Sequence, residues 1–262
     1  MMSNLYTIPK ELEPRTQSIY RQRVPRKIWQ TMKTNAVPRK MGEWAETWIK
    51  LNPEYHYNFV DDDEVIQFIR TNFPGYLQAF ERLKHGASRA DLWRYLVIYK
   101  YGGVYADLDC LCLNPLKDWI DPDAAYVTQL GVNKDVCQWL IISVPGNPIF
   151  LRAAERALHN VLNDLASAEY YGFELHRGKL ELRRPEALIK IEDPVLGLAG
   201  PPILQEAAED CFKNQTCPEI FEQTQVVCIS EKTSCNFKGK VKHDYGNKDY
   251  LEGLKQLHVP HY

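Results

Sequence analysis

Hydrophobic and polar positions along the chain follow two different periods, and their order predicts strands that alternate with helices. Apolar residues fall on one helix face around Met41, Trp44 and Trp48, between short apolar runs at 26–30 and 55–60. Further short strands are predicted at 104–108, 124–130, 136–143, 226–229 and 240–242. Strands that alternate with helices form a mainly parallel central sheet with helices on both faces, so the expected fold class is α/β.

Capping residues predict where the helices begin and end. Asp61 precedes a helix that contains Val65, Ile66 and Ile69, and Asn147 with Pro148 begins a long amphipathic helix. Ser88 is predicted to cap a helix that Gly102 ends. Helices are also predicted at 74–84 and 200–212. The span 166–193 has no clear period, and we interpret it as a lid or an acceptor-facing loop.

Two carboxylates one residue apart, Asp107 and Asp109, end the predicted strand 104–108. Alternate residues of a strand share a face, so both side chains are expected to point the same way. Such a pair alone is often a solvated strand edge. The carboxyl end of a strand in an α/β sheet, however, is where ligands bind. Mg²⁺ or Mn²⁺ held by one or two carboxylates completes its shell with water and substrate phosphates, so the pair predicts a phosphate-bearing partner.

The helix before this strand carries Asp91 and Arg94, which are three residues apart and therefore side by side. Their spacing alone is also that of a simple surface ion pair. In a functional site, Arg94 would bind a phosphate or sugar oxygen through its planar guanidinium group. Asp91 would then accept hydrogen bonds from sugar hydroxyls.

Four segments in this order resemble glycosyltransferase family 32. Residues 88–95 read SRADLWRY and residues 101–109 read YGGVYADLD, as in the sugar-binding region of that family. Residues 24–31 (VPRKIWQT) resemble its opening strand, and residues 52–63 resemble its second strand with an acidic turn. Residues 198–201 match more loosely. The family includes yeast-type initiating mannosyltransferases and capsular polysaccharide transferases, and it is similar to the glucosylating domain of large clostridial toxins.

The resemblance implies a GT-A type, nucleotide-diphospho-sugar transferase fold and a metal-dependent transfer of a hexose that retains the anomeric configuration. It implies Mn²⁺ or Mg²⁺ at Asp107 and Asp109, with Asp91 and Arg94 as further catalytic and donor-binding residues. The implied donor is a nucleoside diphosphate sugar. The acceptor would be a glycan, a lipid-linked saccharide or a protein hydroxyl, which suggests a role such as polysaccharide biosynthesis.

Several expectations about the donor depend on where the chain departs from the family. Trp29 replaces the usual His and resembles the toxin version, in which an aromatic residue stacks on the base; this favours a UDP-sugar over GDP-mannose. A buried core indole is the alternative for Trp29. Gln30 and Gly103 are the other donor-binding candidates on these strands.

The third metal ligand is not defined, because the closing His and Ser-Trp signature of the family is absent. His243 is the first candidate, since it follows a short predicted strand, and His258 and His261 are the others. Lys242 would assist the diphosphate.

Composition narrows the class of protein. A hydrophobic share of 45% with 25% charged residues excludes a disordered or fibrous chain. The net charge of -2 argues against wrapping a nucleic acid. Seven cysteines, an odd number, predict buried thiols such as Cys110 and Cys112 in a reducing compartment, so a cytoplasmic location is expected. No run is long enough for a transmembrane segment, which leaves a peripheral membrane contact open.

The expected organisation is an N-terminal leader (1–23) and one glycosyltransferase domain (24–262), with a donor-binding half at 24–116 and an acceptor-facing half at 117–262. Two alternatives remain. Asp107 and Asp109 also resemble the nucleophile pair of phosphohydrolases that form an aspartyl-phosphate. A sugar-nucleotide or glycan-binding module without turnover would carry the same residues.

Overall fold

A seven-stranded sheet is the largest sheet in the computed structural model, which describes residues 5–131, 133–177, 179–183, 188–193, 195–229 and 240–243. The strands are β1 (Leu5–Thr7), β2 (Glu11–Leu12), β3 (Lys27–Thr31), β4 (Ala36–Pro38), β5 (His56–Val60), β6 (Gly103–Ala106), β7 (Cys110–Cys112), β8 (Tyr126–Leu130), β9 (Leu140–Ser143), β10 (Ser167–Tyr170), β11 (Phe173–His176), β12 (Lys179–Leu182), β13 (Ile189–Glu192), β14 (Thr224–Ile229) and β15 (Val241–His243). The α-helices are α1 (Arg39–Leu51), α2 (Asp62–Asn72), α3 (Leu77–Arg82), α4 (Gly86–Tyr101), α5 (Pro148–Leu162), α6 (Leu196–Ala199), α7 (Pro201–Lys213) and α8 (Pro218–Glu222).

The order of the sheet is β14-β8-β9-β6-β3-β5-β2. The three strands predicted to deliver the site, β3, β5 and β6, are adjacent and parallel. β14 is also parallel to its neighbour β8. β9 pairs antiparallel with both β6 and β8, and β2 pairs antiparallel with β5. The sheet is therefore mixed, and the parallel arrangement expected from the sequence holds for its central strands.

Helices cover both faces of this sheet, which confirms the α/β class. Neighbouring residues of β3 point to opposite faces. Ile28 packs with Trp48 of α1, and Trp29 packs in the cluster formed by α4, α5 and α7. The helix face predicted around Met41, Trp44 and Trp48 is buried as expected.

The predicted helix starts are confirmed for α2 and α5. Asp61 accepts a hydrogen bond from the backbone N–H of Glu64, whose side chain returns to Asp61, and Asn147 accepts from Ile149. The prediction that Ser88 caps α4 is wrong, because the helix begins two residues earlier, at Gly86. Gly102 ends α4 as predicted.

The span 166–193 contains four short strands that the sequence pattern did not reveal. β10 pairs with β13, and β11 pairs with β12, all antiparallel. The buried carboxylate of Glu209 on α7 accepts hydrogen bonds from the backbone N–H groups of Tyr171 and Gly172, at 2.8 and 2.6 Å. α7 thus fixes the turn from which β11 starts. Within the described ranges, no helix combines the length and apolarity needed to cross a membrane.

Candidate active site

Asp107 and Asp109 lie in a tight turn that connects β6 to β7. The backbone N–H of Cys110 donates to the carbonyl of Asp107 at 3.0 Å and closes this turn. The expectation that both acids continue the strand and share its face is therefore wrong, because β6 already ends at Ala106. The turn still follows the carboxyl end of a central strand, which is the predicted position of the site.

Arg94 brings the two predicted acidic positions together. Its Nη2 lies 3.0 Å from Oδ1 of Asp91 and 3.0 Å from Oδ1 of Asp107. The side chains of Arg94 and Asp91 are nearly fully buried, whereas 26% of the Asp107 side chain is exposed. The surface ion pair that the spacing also allowed is excluded by this burial. Asp107 is thus anchored by Arg94 and partly exposed to solvent.

Two residues that the sequence did not single out hold this arrangement. The hydroxyl of Tyr105 donates to Oδ1 of Asp107 at 2.6 Å, and its ring lies 4.5 Å from the Arg94 guanidinium carbon. The backbone carbonyl of Gln138 accepts from Nη1 of Arg94 at 3.1 Å, and its side-chain amide donates to Tyr95. Tyr105 alternates with Asp107 along the chain, a cue present in the sequence. Gln138 comes from β8–β9, far along the chain, and gave no local signal.

Burial sets the protonation of these groups. Removal from water raises the pKa of Asp91 to about 7, although the adjacent Arg94 opposes the rise. Burial alone would lower the pKa of Arg94, but Asp107, Tyr105 and Asp91 raise it above its ordinary value, so the guanidinium stays charged. Burial also raises the pKa of Tyr105, so its hydroxyl keeps the proton that it donates.

The donor set of the turn fits a hard divalent cation. Carboxylate oxygens are the ligands that Mg²⁺ and Mn²⁺ prefer, and two of them suffice when water and phosphate complete the shell. Among the four predicted site residues, Asp91, Asp107 and Asp109 carry three carboxylates, whereas Arg94 carries one guanidinium group. When all are ionised, this leaves an excess of two negative charges, which a divalent cation would neutralise.

Other predicted donor residues lie around the same strands. Gln30 is buried; its amide group donates to the Asp107 carbonyl at 3.4 Å and accepts from Tyr57 at 2.8 Å, so it supports the turn from below. Trp29 is 8% exposed, and its indole N–H donates to Gly102 at 2.9 Å. Gly103 lies beside that contact, at the amino end of β6. The structure thus does not bring Trp29 or Gly103 to the acidic turn, and stacking of Trp29 on a base stays a prediction.

The C-terminal candidates are placed only by backbone register. β15 pairs antiparallel with β7, so that His243 lies opposite Cys110 and Lys242 lies opposite Leu111. Cys110 directly follows Asp109, so the backbone of His243 comes next to the acidic turn. The side chains of Lys242 and His243, and all of His258 and His261, lie outside the described residues. Their roles stay predictions.

A different group of potential ligands occurs at the sheet edge. Among the described residues, Glu11, Glu13 and His56 are the set of three whose ligand atoms lie within 4.8 Å of one another. His56 Nε2 contacts Glu11 at 2.7 Å, and both glutamates are strongly exposed. These contacts describe an exposed ion-pair group rather than part of the acidic turn.

The sequence is similar to that of several known proteins. Relatives include a mannosyl phosphorylinositol ceramide synthase of Saccharomyces cerevisiae, 36% identical over 144 residues, with 53% of this chain and 36% of that protein covered. An inositol phosphoceramide mannosyltransferase of Schizosaccharomyces pombe is 40% identical over 96 residues, which cover 36% and 27%. An initiation-specific alpha-1,6-mannosyltransferase of Candida albicans is 27% identical over 254 residues, which cover 83% and 62%. The matches thus span about a third of the first two relatives.

Among solved structures, the PaToxG glycosyltransferase is similar with a TM-score of 0.49 and 14% identity, over 90% of this chain and 87% of that one. Residues 38–126 match the family model described as a glycosyltransferase sugar-binding region containing a DXD motif. This range includes Asp91, Arg94 and the acidic turn. Residues 38–126 are therefore similar to the sugar-binding region of the DXD glycosyltransferases, and the resemblance to family 32 inferred from the sequence is confirmed.

Proposed function

We propose that this chain is a metal-dependent, retaining glycosyltransferase of the GT-A type, which transfers a hexose from a nucleoside diphosphate sugar to a hydroxyl group. The observation that carries the proposal is the contact of one buried guanidinium group, Arg94, with both Asp91 and Asp107 at 3.0 Å. A purely structural ion pair needs one carboxylate. The second carboxylate, that of Asp107, is partly exposed and lies two residues before Asp109, so it is placed where a ligand can reach it.

Each residue of the site would have a different role in the proposed transfer. Asp91, held by Arg94, would accept hydrogen bonds from sugar hydroxyls, and Arg94 would bind an oxygen of the donor. Asp107 and Asp109 would hold Mn²⁺ or Mg²⁺. When bound, this ion neutralises the charge that develops on the departing diphosphate. Tyr105 fixes the rotamer of Asp107, so the carboxylate is already oriented before the donor arrives.

Retention of configuration is proposed from the resemblance. The bond between the anomeric carbon and the diphosphate oxygen breaks, and the acceptor oxygen bonds to the same face of that carbon. The acceptor proton passes to the diphosphate oxygen. NMR of the product would show the same anomeric configuration as the donor; an inverted linkage would refute this step.

Mannose is the sugar that the comparisons support best, because the relatives named above are all mannosyltransferases or mannosyl synthases. The sequence favoured a UDP-sugar through Trp29. Trp29 is buried against Gly102 and Tyr101, which weakens the argument for a UDP-sugar, and we propose GDP-mannose as the first donor to test. The acceptor would be a glycan or a lipid-linked head group. Five described cysteines are free and buried, which supports the proposed reducing, cytoplasmic compartment.

The decisive experiment is a screen of GDP- and UDP-sugars for nucleotide release that depends on Mn²⁺. We expect release with one donor, and a loss of at least about a hundredfold in Asp109→Asn, because one cation ligand is removed. Asp118→Asn, which changes an exposed carboxylate nearby in the sequence, is the matched control and should retain full activity. Donor binding without release across many acceptors would instead indicate a non-catalytic module, and phosphate release from p-nitrophenyl phosphate would indicate a phosphohydrolase.

A further inference from the structure

A surface loop far from the acidic turn carries the two most exposed of the large hydrophobic side chains that the structure describes. Residues 13–26 connect β2 to β3, and within this loop Ile19 is 89% exposed and its neighbour Tyr20 is 63% exposed. Single apolar side chains are common on surfaces, but two large adjacent ones at the tip of a loop indicate a contact surface. Neither residue contributes to the proposed sugar transfer.

The loop is tied to the body of the domain on both sides of this tip. Before the tip, Arg15 donates from its backbone to Pro53 at 2.8 Å and from its side chain to the carbonyl of Ile49 at 2.7 Å. After the tip, the backbone N–H of Arg23 donates to Pro122 at 2.9 Å. The guanidinium group of Arg26 donates directly to the carbonyl of Tyr20. These bonds hold the apolar pair outward at a fixed place.

The charge around the tip is mainly positive. From residue 14 to residue 27 the chain has no acidic residue and five basic ones, and these are Arg15, Arg21, Arg23, Arg26 and Lys27. A guanidinium group that donates to a backbone carbonyl keeps its full charge and further donors. The acidic residues next to the loop and its anchors are Glu13, the buried Glu54, Asp121 and Asp123. Basic groups therefore outnumber them.

We propose that Ile19 and Tyr20 insert into the interface of an anionic lipid bilayer, with the surrounding arginines on the phosphate head groups. An apolar side chain beside a Tyr, whose ring is apolar and whose hydroxyl is polar, matches the transition from hydrocarbon to head groups. Arginines near an anionic surface strengthen the contact electrostatically. A nucleic acid would match the charge but would leave Ile19 without an apolar partner.

The sheet fixes how the bound protein is oriented. The loop runs into the amino end of β3, whereas the acidic turn follows the carboxyl end of β6, and β3 and β6 are parallel. The loop and the turn therefore lie at opposite ends of these strands. A domain docked through Ile19 and Tyr20 presents its donor site away from that bilayer. The docking is thus independent of the sugar transfer proposed above.

Co-sedimentation of the full chain with vesicles tests this surface. Vesicles of phosphatidylcholine with about 30% phosphatidylserine should bind the protein, and vesicles of phosphatidylcholine alone should bind it far less. Replacing Arg21 by Glu changes two charges and should weaken binding roughly 25-fold, at about fivefold per charge. The double change Ile19→Ser with Tyr20→Ser should weaken it at least about tenfold. Leu165→Ser, which alters another exposed aliphatic side chain, is the matched control and should bind like the parent.

Each other outcome overturns the proposal. Equal binding to both vesicle types would remove the role of charge, and undiminished binding of the Ile19 and Tyr20 variant would remove the role of the tip. The parent could fail to bind vesicles but self-associate in sedimentation velocity. If the Ile19 and Tyr20 variant then stays monomeric, the tip contacts a second copy of the chain instead. Circular dichroism and Mn²⁺-dependent nucleotide release, measured without vesicles, should be unchanged in the variant. Absence of nucleotide release in the parent would refute the proposed sugar transfer. It would not change the interpretation of the vesicle binding.

Discussion

Replacing Arg94 by Met should destabilise the fold strongly, because one guanidinium group compensates two carboxylates. Each contact of Nη2 with Asp91 and Asp107 is 3.0 Å long, which corresponds to about 5 kcal/mol of attraction at an effective dielectric constant near 20. Desolvation of the three groups offsets part of this attraction. Removing one member of a buried ion pair costs about 3–5 kcal/mol, and we expect Arg94→Met to fall in this range.

Urea unfolding of the parent and the variants at neutral pH measures this cost. Adding Asp91→Asn to Arg94→Met should recover part of the loss, because one of the two carboxylates that contacted Arg94 is then neutral. Arg152→Met, which removes a half-exposed arginine whose contact with Glu155 is 3.9 Å long, should change the free energy of unfolding by less than about 1 kcal/mol. If Arg94→Met cost as little as Arg152→Met, or if the second change gave no recovery, the shared guanidinium would not hold the site together.

Three further predictions concern the residues around the site. Gly103→Ala should destabilise the fold by at least about 2 kcal/mol, because φ is 102° and an added Cβ would lie 2.6 Å from the carbonyl oxygen of Lys27. Gly146→Ala has a similar φ of 73° but open space, so it should cost only about 1–2 kcal/mol in the same urea experiment; equal costs would contradict the steric argument. Asp91 binds a proton more tightly folded than unfolded, since its pKa rises from 3.8 to about 7. Its contribution to stability is therefore present at acid pH and is lost, by at most about 1.4 kcal/mol per pH unit, as the pH rises from 4 to 7. Unfolding of Asp91→Asn should lack this slope, and identical pH profiles for variant and parent would refute it. Gln138→Leu should cost about 1–3 kcal/mol, because it leaves buried partners unpaired, and thermal denaturation that matches the parent would count against that network.

The sequence predicted the parts of the fold that local chemistry determines. Asp61 followed by Glu64 is a capping box, and Gly102 ends a helix because its φ of 62° disfavours other residues. The meeting of Asp91 with Arg94 followed from their spacing on one helix face. The location of Asp107 near the carboxyl end of a central strand also followed from the sequence.

Contacts between residues that are distant in the sequence determine features of the site that the sequence did not predict. Gln138 reaches Arg94 across 44 residues, and no local pattern marks such a pair. The four strands between 166 and 193 do alternate polar and apolar residues, but each is only four residues long, which is the shortest run over which alternation indicates a strand. The strand predicted at 104–108 includes Asp107, whereas β6 ends at Ala106 and the backbone bond from Cys110 to Asp107 closes a turn that no local pattern marks.

The pairing of β15 with β7 has a consequence for how the molecule matures during synthesis. Cys110–Cys112 leave the ribosome about 130 residues before their partner strand Val241–His243. Domains acquire structure as their residues emerge, so the acidic turn is translated long before the strand that flanks it is available. A nascent chain stalled near residue 220 should already contain Asp91, Arg94 and Asp107 but lack that flank. The backbone partner of the segment that follows the acidic turn is then added only late in translation.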